Sequence, residues 1–212
     1  MTMTLGENAS SQRVELTAIP PIADPAPLGL AAFALTTFLL SAANAHWTRG
    51  TGDEWLGYAL AYGGAVQLLA GMWEFRNRNV FGATAFGTYG GFWIGLGLYA
   101  LLVVPHATNP AQVANDEGWI VLSFLIFNTY MLLWSLFVSK AVFGVFLTLQ
   151  VTEILLVIGN WNHSGSGFLK AGGVVGVITA VVAWYTSAAG VVNGMAGRHV
   201  LFVGKPLSLT RS

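Results

Sequence analysis

The chain has 212 residues, of which 55% are hydrophobic and only 8% charged. A soluble domain carries about 25% charge to cover its surface, so a water-soluble enzyme is excluded. The 9 basic and 9 acidic residues cancel, leaving no overall field for nucleic acid, and the absence of cysteine excludes disulfides, thiolate metal sites and cysteine nucleophiles.

Residues 1–22 contain Glu7, Arg13 and Glu15 among polar neighbours and lack an apolar run of signal-peptide length, so they read as a cytoplasmic tail. A bilayer core about 30 Å thick needs roughly 20 apolar helical residues. Charge-free intervals of that length predict an all-α polytopic membrane protein with six transmembrane helices at 27–46, 55–73, 81–104, 118–138, 141–160 and 169–193. They make one transmembrane domain over 23–197, followed by a cytoplasmic tail over 198–212. Helices are expected because lipid offers the backbone no hydrogen bonds, and the intervals are about twice the length a membrane β-strand needs.

The first span opens with Asp24-Pro25-Ala26-Pro27-Leu28-Gly29-Leu30. Proline suits a first helical turn, and the unpaired amides around Pro25 and Leu28, at the positive helix end, can receive an anion. The alternative is that Asp24 simply caps the helix. Thr36, Thr37 and Asn44 follow within the span, and Gln67 lies within the second. Glu74, beside Arg76 and Arg78 at the inner end of the second span, reads as part of a solvated interfacial ion pair. The third span holds Thr84 and the glycines Gly87, Gly91 and Gly95 at spacing four; with Gly172 and Gly176 of the sixth, these are expected to be close-packing seams within or between subunits.

The fifth span contains Gln150 and Glu153, the latter being the formal charge set well inside a span. At membrane depth it is either a proton-carrying carboxyl or a neutral acid bonded to a neighbouring helix. His46, His106, His163 and His199 are scattered, without partners at ligand spacing, so neither a metal nor another cofactor is expected.

Cations fix the orientation, because cytoplasmic loops are enriched in Lys and Arg. Arg13, Arg76, Arg78, Lys140, Arg198, Lys205 and Arg211 fall on one side, against Arg49 and Lys170 on the other. Both termini are therefore expected in the cytoplasm. With that orientation the first, third and fifth helices run from inside to outside. Phe33, Tyr89 and Leu149 then share one level, roughly 9 to 12 Å from the helix starts at 1.5 Å per residue. If these helices line one bundle, the three side chains form a narrow apolar collar with one hydroxyl, a constriction that selects by size and dewetting. The alternative is ordinary lipid-facing or core packing.

The opening Asp24-to-Leu30 stretch, with Phe33 and Thr36-Thr37-Phe38-Leu39-Leu40 after it, resembles the Asn-Pro-Ala-Pro-Leu-Gly-Leu signature of the acetate uptake transporters, or succinate-acetate permease family. Tyr62-Gly63-Gly64-Ala65-Val66-Gln67 through Gly71 and Glu74 is similar to that family's second helix. Asn79-Val80-Phe81-Gly82-Ala83-Thr84-Ala85-Phe86, ending in Tyr89-Gly90 and Phe92-Trp93, is similar to its third. The resemblance continues to Ile158-Gly159-Asn160 and covers the chain from about Pro20 to Arg198.

The resemblance implies a non-enzymatic, multi-pass cell-membrane protein, a homohexamer in the bilayer. Each protomer would carry its own pathway for acetate and similar monocarboxylates, possible substrates including succinate, as an anion channel or proton-coupled symporter. Its constriction of Phe, Tyr and Leu maps onto Phe33, Tyr89 and Leu149. Asp24 in place of the signature Asn, and the added carboxyl of Glu153, depart from the pattern and are the candidates for proton coupling. The expected substrate path runs from the amides near Pro25 and Leu28 along Thr36, Asn44, Gln67 and Thr84. A competing reading is a hexameric channel for a small neutral solute such as urea, an amide or ammonia.

Overall fold

A computed structural model describes residues 22–162 and 166–207. The expected N-terminal tail, apart from Ile22, lies outside these residues, as do His163 and Arg211. Among the described residues every regular element is helical: α1 (Ala26–Asn44), α2 (residues 56–76), α3 (Val80–Leu102), α4 (Pro110–Ser135), α5 (Lys140–Trp161) and α6 (Ser166–Ala196), with a short 3-10 turn at Val104–His106. Five of the six helices are long and apolar enough to cross a membrane. The protein is a multi-pass membrane protein.

The remaining helix, α2, departs from the expected plain span. Leu56–Tyr58 and Gln67–Arg76 are α-helical and flank a π-helical stretch, Ala59–Val66. A π-turn displaces the backbone ladder and recurs at functional sites. Here Gly63 faces Thr36 of α1, where a Cβ would lie 2.5 Å from the Thr36 hydroxyl oxygen. That hydroxyl in turn donates to the carbonyls of Ala32 at 3.1 Å and, across the interface, Tyr58 at 3.5 Å.

The α4 helix starts at Pro110, ahead of the expected residue 118. Asn109 Oδ1 accepts from the Ala111 amide at 3.0 Å and proline occupies the first helical position, a start that needs no apolar residues. Asp116 and Glu117 are thus helical, inside α4 rather than in the loop before it. Asn79 caps α3 through the Gly82 amide at 3.0 Å, and Ser139 caps α5 through the Val142 amide at 3.1 Å.

The α1 helix packs on α6, α6 on α5 and α5 on α4; on its other side α1 meets α2, which packs on α3. Gly71 allows the backbones of α2 and α3 to touch, since a Cβ there would lie 2.6 Å from the Gly87 nitrogen. Within the protomer Gly71 and Gly87 use the seam, while Gly91 and Gly95 have no neighbour from this chain within 4 Å of their Cβ positions. The bundle closes around an apolar core drawn from five helices: Phe33 of α1, Phe86 and Tyr89 of α3, Phe127 of α4, Phe146 and Leu149 of α5, and Ala183 of α6.

The segment after α6 is packed onto the bundle. The Asn193 side chain accepts from the amides of Val200 and Leu201, the Tyr185 hydroxyl donates to the Phe202 carbonyl at 2.7 Å, and the Ala141 and Leu207 amides donate to the Val203 and Leu136 carbonyls.

Candidate functional site

Two small cavities lie along the middle of the bundle. The inner one, on the side where α1, α3 and α5 begin, has a volume of about 60 Å³ and is bounded by Ala26, Leu30, Gln67, Phe81, Val142 and Phe146 among others. The outer one, of about 50 Å³, is bounded by Thr37, Ser41, Asn44, Trp93, Thr152 and Glu153 among others. Phe33, Tyr89 and Leu149 line both. The outer cavity shares Leu40, Asn44, Phe92, Val121 and Leu156 with a wider vestibule of about 350 Å³, whose rim includes Glu117 and Asn160.

The three collar candidates are therefore brought together, each from a different helix and each buried. Phe33 meets Tyr89 edge-on, with ring centroids 5.7 Å apart. Tyr89 is further enclosed by Phe127 at 5.3 Å, Phe124 at 6.0 Å and Phe146 at 6.5 Å. A ring held on so many sides has few rotamers open to it, and edge-to-face contacts add to the area it buries.

One polar network enters this apolar middle. The Tyr89 hydroxyl lies 3.0 Å from Asn128 Oδ1 and 3.4 Å from Glu153 Oε1. Asn128 Nδ2 donates to the Phe146 carbonyl at 3.0 Å and to Gln150 Oε1 at 2.6 Å. Gln150 Nε2 donates to the Thr129 hydroxyl at 2.9 Å, which donates to the Leu125 carbonyl at 2.7 Å. An unpaired amide is costly at such depth, and here both ends of the Asn128 amide are paired. Asn128 was not among the residues expected from the sequence, although an amide in the middle of a span is itself the signal.

Four buried polar atoms have no protein partner at the cavity walls. Thr37 Oγ1, Trp93 Nε1 and Glu153 Oε2 belong to the outer cavity, and Gln67 Oε1 belongs to the inner one. Trp93, like Asn128, was absent from the expected site, whereas Thr37 was among the polar residues singled out within the first span.

The remaining expected site residues divide. Asn44 lines the outer cavity and vestibule, and Gln67 the inner cavity. Thr36 is fully buried but its hydroxyl is engaged at the α1–α2 contact rather than by either cavity. Thr84 is exposed on the outside of α3 and lines neither cavity. Leu28 is exposed in an open groove with Pro27 and Ser187.

The anion-receiving mouth expected at the start of α1 is corrected by its own hydrogen bonds. Asp24 Oδ1 accepts from the Ala26 amide at 3.0 Å, and the Pro25 carbonyl accepts from the Leu28 and Gly29 amides at 3.1 Å each. The capping alternative is what the chain adopts, because Pro27 has no N–H and the neighbouring amides are already taken. Glu74 also departs from expectation. It is fully buried and accepts from Asn77 Nδ2 at 3.0 Å, while Arg76 and Arg78 are exposed. The α2–α3 turn folds over its carboxyl, against Gly82, where a Cβ would meet Oε1 at 2.6 Å.

Residues 9–209 match the profile described as the GPR1/FUN34/yaaH family. Acetate permease A of Emericella nidulans is 40% identical over 188 residues, covering 81% of this chain and 62% of that protein. The succinate-acetate/proton symporter SatP of Escherichia coli is 35% identical over 185 residues, covering 87% of this chain and 96% of that protein. The solved structure of the bacterial acetate channel SatP aligns with a TM-score of 0.79 at 34% identity, over 86% of this chain and 99% of the other. This chain spans less than two thirds of the length of the fungal permease it matches.

Proposed function

The chain belongs to the GPR1/FUN34/yaaH family, and from that premise we propose that it carries acetate and similar small monocarboxylates across the cell membrane, with succinate a further candidate. The single observation that carries the reading is the placement of Phe33, Tyr89 and Leu149 on the shared wall of two cavities stacked along the bundle. Solute passes between the cavities only as those side chains allow, so the collar filters by cross-section. Asn44 on the outer side offers an amide to a carboxylate as it sheds water, and Gln67 lines the inner side with an unpaired carbonyl oxygen that suits a protonated acid or a hydrated solute.

The proposed working form is a homohexamer with both termini in the cytoplasm and one pathway per protomer. Leu69, Trp73, Phe75 and Val80 are exposed apolar side chains suited to lipid or to a neighbouring protomer. Passage is either as the free anion or together with a proton, and the two differ in electrical signature. Purified protein in liposomes, given labelled acetate across imposed potentials and pH gradients, tests the reading. Uptake above that of protein-free liposomes is expected. Current alone identifies the anion channel, acidification of the receiving side identifies symport, and no acetate flux sinks the proposal. Uptake of urea or ammonia without acetate uptake installs the neutral-solute channel in its place.

A further inference from the structure

The amide and hydroxyl chain running from Asn128 through Gln150 to Thr129 has only one consistent direction. The Phe146 and Leu125 carbonyls can only accept. The first takes one Asn128 Nδ2 hydrogen at 3.0 Å, and the second takes the Thr129 hydroxyl hydrogen at 2.7 Å. Thr129 must then accept from Gln150 Nε2, which leaves Gln150 Oε1 to accept the other Asn128 hydrogen. Asn128 Oδ1 is consequently the oxygen that faces Tyr89, and it takes the single Tyr89 hydrogen at 3.0 Å. Glu153 Oε1, at 3.4 Å from the same phenol oxygen, faces an atom whose hydrogen is already committed. An ionised carboxylate would compete for that hydrogen, whereas a carboxylic acid donates to the phenol oxygen and completes the chain.

The other carboxyl oxygen, Glu153 Oε2, is buried without a protein partner, as are the Trp93 indole N–H and the Thr37 hydroxyl, and all three residues line the outer cavity. Glu153 is only 5% exposed and Trp93 3%. A donor N–H, a hydroxyl and one carboxyl oxygen around about 50 Å³ suit a ligand with a two-oxygen polar head and a short apolar end.

We propose that the outer cavity is a carboxyl-binding site in which Glu153 arrives protonated and shares its proton with the carboxylate of the substrate, while Trp93 Nε1 and Thr37 Oγ1 donate to the pair. A half-turn of the Glu153 carboxyl carries the O–H from Tyr89 to the cavity, and no proton is gained or lost in that turn. The Tyr89 hydrogen stays bonded to Asn128 Oδ1, the nearer of its two acceptors, throughout. This deepens the acetate reading and rests on it. Tyr89 is the other titratable group on the cavity wall; α1 contributes Thr37, Ser41 and Asn44 there, α4 contributes Val121 and Phe124, and α6 reaches α5 through Thr179, 3.2 Å from Thr152. Glu117 of α4 borders the neighbouring vestibule.

The test is labelled-acetate counterflow in liposomes holding the wild type, Glu153→Gln or Trp93→Phe, at symmetric pH values spanning the neutral range. Protein-free liposomes provide the subtraction. In the wild type the half-saturating acetate concentration rises with pH, approaching about tenfold per unit, the slope of one linked proton. Glu153→Gln keeps a permanent N–H donor and is expected to flatten that slope, and Trp93→Phe to raise the half-saturating concentration at every pH.

Infrared difference spectra of wild type minus Glu153→Gln are expected to show a carboxylic acid C=O band that shifts when acetate is added. An unchanged slope in Glu153→Gln, an unaltered half-saturation in Trp93→Phe, or the absence of that band in a wild type that moves acetate overturns the inference alone. A wild type that moves no acetate overturns the transport reading and this inference together.

Discussion

Phe33 presents its ring edge-on to Tyr89, with centroids 5.7 Å apart and planes at 61°, and Leu149 completes the wall the two share between the inner and outer cavities. The three come from α1, α3 and α5, so widening one side does not require the others to move. Leu149→Ala removes the aliphatic side and is expected to raise the flux of propionate or lactate relative to acetate in liposomes. Deleting a buried leucine costs about 2–5 kcal/mol, so folding must be checked by thermal unfolding in detergent. An unchanged ratio in a folded variant counts against the collar.

Asn128 ties α4 to α3 and α5 at the same level. Asn128→Leu strips partners from the Tyr89 hydroxyl, the Phe146 carbonyl and Gln150 Oε1. Each buried polar group left unpaired costs about 1–3 kcal/mol. A marked fall in the unfolding temperature is therefore expected, together with reduced acetate flux because Tyr89 loses its anchor. The hydroxyl variant Tyr89→Phe keeps the ring and removes the same bond from the other side, so combining the two changes is expected to cost less than their sum. Additive losses would show that Asn128 and Tyr89 act independently.

Most of the fold was legible because desolvation leaves a strong signature. Charge-free intervals placed the six helices, and equal depth on α1, α3 and α5 placed Phe33, Tyr89 and Leu149 on one level. What failed was local. The start of α4 at Pro110 is polar, and its Asn109 cap carries no hydropathy signal. The π-stretch of α2 brings Gly63 against Thr36 of another helix, and Glu74 is buried beside the turn that follows it, contacts that no pattern within a single span encodes. Thr84 lines neither cavity for a simpler reason: sequence position sets depth but not helix rotation, and a polar residue at the right level can still face outward.

Asp24 offers a direct separation of capping from proton chemistry. Its Oδ1 accepts from the Ala26 amide, a task that Asn performs equally well at a helix start. Asp24→Asn is expected to leave both the unfolding temperature and the pH dependence of acetate flux as they are. Asp24→Ala removes the acceptor and is expected to lower the unfolding temperature by a few degrees with the same pH profile. A pH profile that shifts in Asp24→Asn would restore a proton role to this carboxyl.

The glycines make the last distinction, between a backbone contact inside the protomer and a face left open. At Gly71 a Cβ would sit 2.6 Å from the nitrogen of Gly87 and 3.1 Å from its Cα, and neither backbone atom can yield without parting α2 from α3. Overpacking costs about 1–3 kcal/mol even where side chains can adjust, so Gly71→Val is expected to lie at or beyond the upper end. It would also disturb the inner cavity, since Gln67 is one helical turn away on α2. Gly91 has nothing within 4 Å of its Cβ position, so Gly91→Ala is expected to fold as the wild type does, with a small gain from helix propensity. Unfolding temperatures of the two variants in detergent decide the matter: equal stability would mean that α2 and α3 do not approach through Gly71.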